Sequence, residues 1–377
     1  MKIGIDARFW SQTGIGRYIR EIVGELAKQD TQNEYVIFLM AGDFDTVTLP
    51  SNFKKVKTTI YWHSFSEQLI LPILYLREKL DLLFVPHFNV PIFYPGKFVS
   101  TIHDLTVLRV RTGRVTTLPY PIYAIKYLAA FLAHFVAIKR SQKIFTVSQF
   151  VKNDLVQTFK VAPDKIVLTP NAVDGNFYPR PNSEVDVVLQ RYKISKPYLF
   201  YVGNGYPHKN LELLIKAFEI VLKDFPKLTL VLGGKKNFFY NRLEKESASL
   251  VVSGRLVYPG FISDSDLPAL YSGAEAFVNP SLYEGFGIQT LEAFACGCKV
   301  ICSNATSLPE IGGDLADYFD PRDINNMVDV IKKSLIKTSP DFATKAKARA
   351  QEFSWQSSAQ TILETIKSFK SNNFGVK

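Results

Sequence analysis

The chain has 377 residues and a mass of 42.6 kDa, and 47% of its residues are hydrophobic. This length and composition are typical of a globular protein with two domains or one large domain, and they exclude a small disulfide-stapled chain. The formal net charge of +10 favours anionic partners such as phosphates, anionic lipid or nucleic acid.

Three cysteines, Cys296, Cys298 and Cys302, lie close together on a predicted helix end and the following strand. Their spacing does not suit a disulfide framework, and a metal site would need further ligands. We therefore expect packed thiols, no bound metal ion and a cytoplasmic protein. The N-terminus has the pattern of a strand rather than of a cleavable leader. The longest apolar stretch, residues 120–138, is interrupted by a lysine and a histidine, so we expect no helix that crosses a membrane.

The first half of the chain alternates between apolar strands and amphipathic helical stretches. Strands are predicted at residues 2–7, 34–40, 57–61, 82–86, 98–103 and 143–148. This alternation is typical of a parallel sheet that is covered by helices on both faces. In open sheets of this kind, ligands bind beyond the carboxyl ends of the strands, so the loops that follow the strands are candidate sites.

A loop with two glycines, Gly14 and Gly16, follows the first predicted strand. The helical pattern after it has apolar residues at Ile19, Ile22, Val23 and Leu26. The third glycine of a dinucleotide-binding fingerprint is missing, which argues against an NAD site. A ligand-binding loop and an ordinary turn between strand and helix both remain open.

Two histidines, His87 and His103, lie at the ends of predicted strands. A single histidine is more often structural than functional. His103, however, is followed by Asp104, whose carboxylate can orient or charge the imidazole ring if the geometry permits. We therefore rank His103 above His87 as a functional candidate.

Residues 109–143 combine aromatic, aliphatic and basic side chains. The aromatic residues lie on one helical stripe with cations at its ends; they are Tyr120, Tyr123, Tyr127, Phe131 and Phe135, flanked by Arg111, Arg114, Lys139, Arg140 and Lys143. Such a face suits the surface of an anionic bilayer. It suits equally a helix packed on the sheet, and the sequence leaves both interpretations open.

Residues 179–183 are the predicted linker, and a second series of strands follows at residues 198–203, 228–232, 256–259, 276–278 and 299–302. The loop after the first of these strands contains Lys209, immediately before a predicted helix. An ammonium group and the free N–H groups of a helix N-terminus can together neutralise a diphosphate. The alternative is a lysine that is solvated at the surface.

The stretch from residue 283 to 293 carries the strongest signal in the chain. It follows a buried strand, Gly285 and Gly287 form a loop, and a helix is predicted to begin near Gly287. Glu284 stays in the loop, and Glu292 lies about one turn inside the helix. Even on a continuous helix these two residues would be roughly 12 Å apart, at about 1.5 Å per residue. This spacing suits the two ends of a nucleoside diphosphate sugar whose phosphates rest on the helix N-terminus. The alternative is a tight turn with both glutamates in solvent.

This Glu-x7-Glu stretch, with Ala295-Cys296-Gly297-Cys298 after it, resembles the signature of the retaining nucleotide-sugar glycosyltransferases of family 4. The resemblance extends over nearly the whole chain. It implies an α/β fold of GT-B architecture, in which two Rossmann-like domains with parallel sheets face a central cleft. The expected ranges are 1–180 for an acceptor-binding domain, 181–355 for a nucleotide-sugar donor domain, and 356–377 for a C-terminal helix that returns to the first domain.

The resemblance also implies roles for residues of the second domain. Glu284 and the amides after it would hold the donor sugar, whereas Glu292 would bind the ribose hydroxyls. The amides belong to Gly285, Phe286, Gly287 and Ile288. Lys209 matches the family's phosphate-binding lysine.

In the first domain, the resemblance implies that His103 contacts the donor sugar and that Gly14 and Gly16 approach the donor phosphates. His103, Lys209 and Glu284 are therefore the expected catalytic residues. The family often has an arginine at the position of Asn204, so this chain has one cation fewer for the diphosphate. Arg17 and His208 are the candidates to replace it.

The activity that the resemblance implies is transfer of a hexose, mannose or similar, from a nucleoside diphosphate sugar to a hydroxyl, with retention of configuration. The acceptor would be a growing glycan or a lipid-linked molecule. We expect no metal ion and no cofactor besides the co-substrate, no nucleic acid partner, and a cytoplasmic location that includes contact with an anionic membrane surface. Two alternatives are a non-catalytic sugar-nucleotide-binding subunit and a GT-B sugar-nucleotide epimerase.

Overall fold

The structure, a computed structural model, describes residues 1–110, 120–337 and 339–371. The chain divides into two compact units, each built around its own parallel sheet. Of the described residues, the first unit comprises 1–109, 120–171 and 354–371, and the second comprises 110, 172–337 and 339–353.

The first unit has a seven-stranded sheet in the order β3-β2-β1-β4-β5-β6-β7. The strands are β1 (Lys2–Asp6), β2 (Glu34–Met40), β3 (Phe53–Thr58), β4 (Leu82–Val85), β5 (Phe98–Ile102), β6 (Ile144–Thr146) and β7 (Ile166–Leu168). The helices between them are α1 (Gly14–Gln29), α2 (Ala41–Phe44), α3 (Phe65–Leu69), α4 (Leu71–Arg77), α5 (Thr106–Arg109), α6 (Tyr120–Arg140) and α7 (Gln149–Phe159). Neighbouring strands run parallel, and the central strands β4 and β5 are buried along their whole length, as expected of a parallel sheet covered on both faces.

The second unit has a six-stranded sheet in the order β10-β9-β8-β11-β12-β13, again with parallel pairing. The strands are β8 (Tyr198–Val202), β9 (Thr229–Gly233), β10 (Leu256–Val257), β11 (Ala276–Asn279), β12 (Val300–Ser303) and β13 (Asp317–Phe319). The helices are α8 (Asn182–Tyr192), α9 (Leu211–Val221), α10 (Phe238–Glu246), α11 (Ala248–Val252), α12 (Leu267–Gly273), α13 (Ile288–Ala295), α14 (Leu308–Gly312), α15 (Ile324–Ile336) and α16 (Phe342–Gln351).

The core of the second unit lies between the sheet and the buried faces of α9 and α15. Leu214 and Phe218 of α9 are fully buried, as are Met327 and Ile331 of α15. Burying one such side chain contributes about 1.5–3 kcal/mol relative to leaving it exposed. The three cysteines are buried free thiols in the same unit, and burial raises the pKa of each thiol.

The last helix, α17 (Trp355–Ser371), belongs to the first unit and packs against α1. Its buried side chains have helical spacing; they are Trp355, Ala359, Ile362, Leu363 and Ile366. Tyr18 of α1 contacts Trp355 edge-on, with ring centroids 5.9 Å apart. The first unit is therefore assembled from segments at both ends of the chain.

Both sheets reverse their strand order at an internal pair of strands. The reversal lies between β1 and β4 in the first sheet and between β8 and β11 in the second. At such a point the two loops that follow the strands open away from each other and leave a crevice for a ligand. The loops after β8 and β11, which contain Lys209 and Glu284, therefore both border the crevice of the second sheet.

Candidate functional site

The loop after β11 requires glycine at its last position. Gly287 has a φ of 84°, in the left-handed region, and it caps the N-terminus of α13. A Cβ atom at this position would lie 2.5 Å from Cδ2 of Leu308, so a side chain is excluded by space as well as by backbone conformation. Because glycine has no side chain to satisfy the first N–H groups of α13, this helix end presents partial positive charge.

Lys209 and Glu284 form an ion pair across the two loops. The Lys209 Nζ lies 2.6 Å from Oε1 of Glu284, and the two side chains are 12% and 13% exposed. Asn210, next to Lys209, donates from Nδ2 to the carbonyl oxygen of Pro280 at 3.1 Å. A side-chain bridge between the loops therefore accompanies the ion pair and fixes their separation.

Glu284 is held by further hydrogen bonds on its side chain and its backbone. The Ser281 hydroxyl donates to Oε1 of Glu284 at 2.8 Å. The Glu284 N–H donates to Oγ1 of Thr306, and the Ser307 hydroxyl donates to the carbonyl oxygen of Glu284, both at 3.0 Å. The carboxylate consequently occupies one defined position at the end of β11.

The surroundings keep Glu284 ionised. Burial of the carboxyl group acts to raise its pKa, but the charge and hydrogen bond of Lys209, the hydroxyl of Ser281 and the nearby His208 outweigh it. The pKa of Glu284 therefore lies below its ordinary value. At neutral pH the site contains a fixed carboxylate next to a fixed ammonium group.

Asn204, at the position where the family often has an arginine, lies in a local turn. Asn204 accepts a hydrogen bond from the Tyr206 N–H at 3.3 Å through Oδ1, and its carbonyl oxygen accepts one from the Tyr201 hydroxyl at 2.9 Å. Of the two candidate replacements, His208 lies close enough to Glu284 to affect its pKa. Arg17 lies on α1, in the first unit.

Glu292 lies one turn inside α13, with only 2% of its surface exposed. Tyr271 of α12 donates its hydroxyl proton to Oε2 of Glu292 at 2.8 Å. Phe286 packs its ring against Phe353, with centroids 5.7 Å apart, so its side chain points into the protein. Gly285 is buried as well, whereas Ile288 is half-buried at the start of α13.

Gly14 and Gly16, the two glycines expected near the donor phosphates, lie at the start of α1 and differ in their surroundings. A Cβ atom on Gly16 would lie 2.6 Å from the carbonyl oxygens of Phe9 and Trp10, so close packing of the loop requires glycine there. No atom lies within 4 Å of where a Cβ on Gly14 would be. Packing therefore explains Gly16, and it leaves Gly14 beside open space.

His103 follows β5, and its ring is oriented by the backbone. The ring Nε2 lies 3.0 Å from the carbonyl oxygen of Pro86, which can only accept, so Nε2 donates and Nδ1 of the neutral ring is an acceptor. Burial lowers the pKa of His103, although Pro86 and Asp104 partly oppose this shift. Asp104 accepts a hydrogen bond from the N–H of Thr106, the first residue of α5, at 2.7 Å. The expected orienting role of Asp104 thus falls to the Pro86 carbonyl.

His87 has the surroundings of a structural residue. Its Nδ1 accepts from the Asn89 N–H at 3.1 Å, and its ring lies between Phe9 and Phe88, 4.6 and 4.2 Å from their centroids. Burial, with smaller contributions from neighbouring cations and histidines, holds the pKa of His87 well below its ordinary value.

A buried ion network at the end of β1 was not predicted from the sequence. Arg8 donates to Asp6 through Nε and one terminal nitrogen, at 2.9 and 2.8 Å, and to Oε1 of Glu67 at 2.7 Å. The Tyr75 hydroxyl also donates to Asp6, and the Asn89 amide to Glu67. All three charged side chains are at most 2% exposed. The sequence signal, Asp6-Ala7-Arg8 at a strand end, is short, and its third member is distant in sequence.

Metal ligands are not clustered in the residues that the structure describes, since no three His, Cys, Asp or Glu side chains there could hold an ion together. The sequence does contain two Asp-x-Asp triplets, at residues 43–45 and 264–266. Asp43 accepts a hydrogen bond from Ser11, and Asp266 binds Arg191 at 2.7 Å and the Tyr192 hydroxyl at 2.8 Å.

The predicted aromatic stripe of α6 is not its buried face. The buried residues of this helix are Ala133, His134, Ala137 and Ile138, whereas Phe131 and Phe135 are exposed. Tyr123 and Tyr127 are half-buried. Core packing of the whole stripe is therefore wrong, because the helix buries a different face, the one that carries Ala133, His134, Ala137 and Ile138. Arg111, Arg114 and the Tyr120 side chain lie outside the described residues.

Residues 121–140 of α6 form a helix whose length and composition would suffice to cross a membrane. Only 22% of its most apolar stretch of 18 residues is buried inside the protein. Ile122, Ile125, Leu128 and Leu132 are exposed on this helix. Length and composition do not place this helix in a membrane, so the expectation that no helix crosses one stays a prediction.

A second exposed apolar face lies on α3 and α4. Its residues have helical spacing; they are Phe65, Leu69, Ile70, Ile73 and Leu76, and Phe65 is 91% exposed. Lys126 of α6 lies close enough to His63, just before α3, to contribute to the lowering of its pKa, which is mainly due to burial. The N-terminal half of α6 and the start of α3 are therefore neighbours.

Comparison with known proteins identifies relatives along the whole chain. The family described as Glycosyl transferases group 1 matches residues 190–353, and the family described as Glycosyltransferase Family 4 matches residues 12–177. The O-antigen chain mannosyltransferase B of Escherichia coli is 31% identical over 372 residues, which cover 93% of this chain and 95% of the relative. The O-antigen chain mannosyltransferase RfbU of Salmonella typhimurium is 26% identical over 79% of this chain and 78% of its own length.

Solved structures share the fold at low sequence identity. A sucrose-phosphate synthase from Thermosynechococcus elongatus superposes with a TM-score of 0.78 and 17% identity, over 99% of this chain and 100% of the neighbour. HepE from Anabaena, solved in complex with UDP and glucose, has a TM-score of 0.76 and 18% identity, over 98% of this chain and 100% of its own. The expectation of two parallel-sheet α/β domains with the GT-B fold is confirmed.

Proposed function

The chain belongs to the glycosyl transferases group 1 family of glycosyltransferases, and from this we propose that it transfers mannose from a nucleoside diphosphate mannose to a hydroxyl of a growing O-antigen-like glycan. The mannosyltransferase relative that matches 93% of the chain supports the choice of sugar. We propose further that transfer proceeds with retention of configuration and needs neither a metal ion nor another cofactor.

The observation that carries this proposal is the ion pair between Lys209 and Glu284 at the reversal of the second sheet. A diphosphate at the N-terminus of α13 meets an ammonium group at Lys209, and both stabilise the negative charge that develops as the diphosphate leaves. This arrangement supplies positive charge where other enzymes use a divalent ion.

Glu284 in this proposal binds hydroxyls of the donor sugar. Its carboxylate is ionised and held by Lys209 and Ser281, so it is suited to accept hydrogen bonds and to stabilise positive charge at the anomeric carbon. Departure of the diphosphate leads, and the acceptor hydroxyl attacks from the face that the diphosphate leaves. His103, neutral because burial lowers its pKa, offers Nδ1 as an acceptor for a sugar hydroxyl.

The decisive experiment incubates the purified protein with GDP-mannose, UDP-glucose and other nucleotide sugars, with and without mannose-terminated oligosaccharides. We expect release of nucleoside diphosphate that depends on the oligosaccharide, a product with the anomeric configuration of the donor by NMR, and the same rate in EDTA. Binding without release would favour a sugar-nucleotide-binding subunit instead. Conversion of one nucleotide sugar into another without acceptor would favour an epimerase.

We also propose that the protein attaches to the surface of an anionic membrane through its first unit. The exposed apolar residues of α6 and of α3–α4 support this, and so do exposed cations at the ends of α4 and α6. These cations are Arg77 at the end of α4, Lys79 just after it, and Lys139 and Arg140 at the end of α6. Apolar faces flanked by cations bind where acyl chains meet anionic headgroups. A lipid-linked acceptor would be reached at such a surface.

A further inference from the structure

Tyr271 connects the helix of the Glu-x7-Glu motif to the two central strands of the second sheet. Its ring packs edge-on against Phe200 of β8 and Phe277 of β11, with centroids 5.2 and 5.5 Å away. The residue is fully buried, and its hydroxyl donates to Oε2 of Glu292 at 2.8 Å. The strands that flank the reversal of the sheet thus set the position of one oxygen of Glu292.

A fixed oxygen has consequences for what a glutamate side chain can bind. Three rotatable bonds let a free glutamate carboxylate sample many orientations, and a partner that orders it must overcome this freedom. A hydrogen bond from a rigid phenol removes that freedom before the partner arrives. Preorganisation of this kind raises affinity without adding a contact to the ligand.

We infer that Tyr271 is a positioning residue for Glu292, and that through Glu292 it sets the preference of the site for ribonucleotides over nucleotides without ribose hydroxyls. This inference depends on the proposed function, in which Glu292 accepts hydrogen bonds from the ribose. Tyr271 does not touch the ligand; it holds the carboxylate that does.

The test measures the affinity of GDP and of UDP by calorimetry, each beside its 2′,3′-dideoxy analogue. In the unmodified protein we expect the ribonucleotide to bind more tightly than the dideoxy analogue. Tyr271→Phe keeps the ring and removes only the hydroxyl. We expect it to weaken the ribonucleotide by about tenfold and to leave the dideoxy analogue unchanged, because only the ribose contact loses its preorganised partner.

Tyr198→Phe is the matched control. Tyr198 is a fully buried tyrosine of the same unit, and its hydroxyl donates to the carbonyl oxygen of Leu270 at 2.6 Å rather than to a side chain of the site. A loss of stability that acts indirectly would appear in both variants. The ratio of ribonucleotide to dideoxynucleotide affinity should change only in Tyr271→Phe.

A double variant separates the inference from general damage to the fold. In the Glu292→Gln background, adding Tyr271→Phe should leave the affinity ratio where Glu292→Gln alone has put it. If Tyr271→Phe keeps the ratio of the unmodified protein, the positioning role is refuted while the proposed function stands. If the unmodified protein binds ribonucleotides and dideoxynucleotides equally, the ribose role of Glu292 fails, and the inference fails with it.

Discussion

At the scale of single residues, the ion pair of Lys209 with Glu284 means that the cation for the diphosphate already has an anionic partner before any donor binds. A phosphate that binds here must therefore displace Glu284 from Lys209 or share the ammonium group with it. The two residues should respond differently to mutation, because one supplies the positive charge and the other opposes the phosphate.

Lys209→Ala should weaken binding of nucleoside diphosphate and slow transfer. A charge-assisted contact to a phosphate contributes about 1.5–3 kcal/mol, which would be lost. Calorimetric titration and initial rates measure both effects. Lys216→Ala, an exposed lysine on α9, removes the same charge nearby and should change neither. Unchanged kinetics in folded Lys209→Ala would remove this residue from the site.

Glu284→Gln and Glu292→Gln should separate turnover from nucleotide affinity. Glu284→Gln removes a negative charge beside Lys209, so nucleoside diphosphate should bind at least as tightly while transfer slows because the sugar contact is lost. Glu292→Gln should mainly weaken binding of the nucleoside diphosphate itself. Calorimetry of the product diphosphate beside transfer rates provides the comparison. The reverse pattern would mean that the ligand runs in the opposite direction along α13.

At the scale of secondary structure elements, the ion network of Arg8 joins the end of β1 to α3, which carries part of the exposed apolar face. Arg8→Ala leaves Asp6 and Glu67 buried without their cation, and breaking such a buried pair costs about 3–5 kcal/mol of unfolding free energy. Urea denaturation measures the loss. Lys54→Ala removes a largely exposed partner of Glu78 and should change stability little. An equally small effect of Arg8→Ala would show that water or another group replaces the arginine.

The exposed face of α6 gives a prediction about vesicle binding. Ile125→Glu combined with Leu128→Glu should reduce co-sedimentation with anionic vesicles at low salt. Each change removes an apolar side chain that would contact the acyl chains and adds a negative charge that anionic lipid repels. Stability should be nearly unchanged, since both residues are exposed. Ile336→Glu, at an exposed apolar position of the second unit, is the control. Absence of vesicle binding by the unmodified protein would mean that another partner covers this face.

The central strands and the edge strand β10 could be predicted from the sequence, whereas the edge strands β3, β7 and β13 were missed or misplaced. Periodic apolar runs identify β1, β2, β4, β5 and their counterparts in the second unit, because these strands are buried on both faces. β3 spans Phe53–Thr58, so its prediction at residues 57–61 was displaced toward the C-terminus, because the edge strand contains Lys54, Lys55 and Lys57. Charged residues protect the edges of sheets from pairing with other chains, and they also obscure the strand signal. β7 and β13 are short edge strands that were not predicted.

The part of the candidate site that lies within one stretch of sequence could be predicted. Gly287 and the start of α13 follow from a strand, a turn and a helical pattern within one short stretch. The partners Tyr271, Ser281 and Thr306 could not be assigned, because they reach the glutamates through tertiary contacts that no spacing encodes. The buried face of α6 could not be predicted either. Apolar residues lie on all sides of this helix, so the pattern alone does not select the face that packs in the protein.

At the scale of the whole molecule, the histidines make stability depend on pH. Burial lowers the pKa of His63, His103 and His134 in the first unit, and lowers that of His87 most strongly. A depressed pKa in the folded state means that the unfolded chain binds more protons as the pH falls below about 6.5. Stability should therefore be complete above that pH and decrease on acidification toward the depressed values.

Thermal unfolding between about pH 7.5 and 5, a window around the ordinary histidine pKa, should show this decrease. Hydrogen exchange resolved by segment should locate the loss in the first unit. His87→Gln, which keeps a polar side chain without a titrating ring, should make the dependence on pH less steep. A uniform loss across both units would point to carboxylates instead.

Because of the order of their segments along the chain, the two units can fold at different stages of synthesis on the ribosome. Almost all described residues of the second unit lie in one stretch of the chain, between residues 172 and 353, so this unit can fold as soon as that stretch has emerged. The first unit is completed only when α17, which follows the second unit along the chain, packs against α1. During that interval Tyr18 of α1 lacks its contact with Trp355 of α17, and a partly folded unit of this kind exposes apolar surface that chaperones bind.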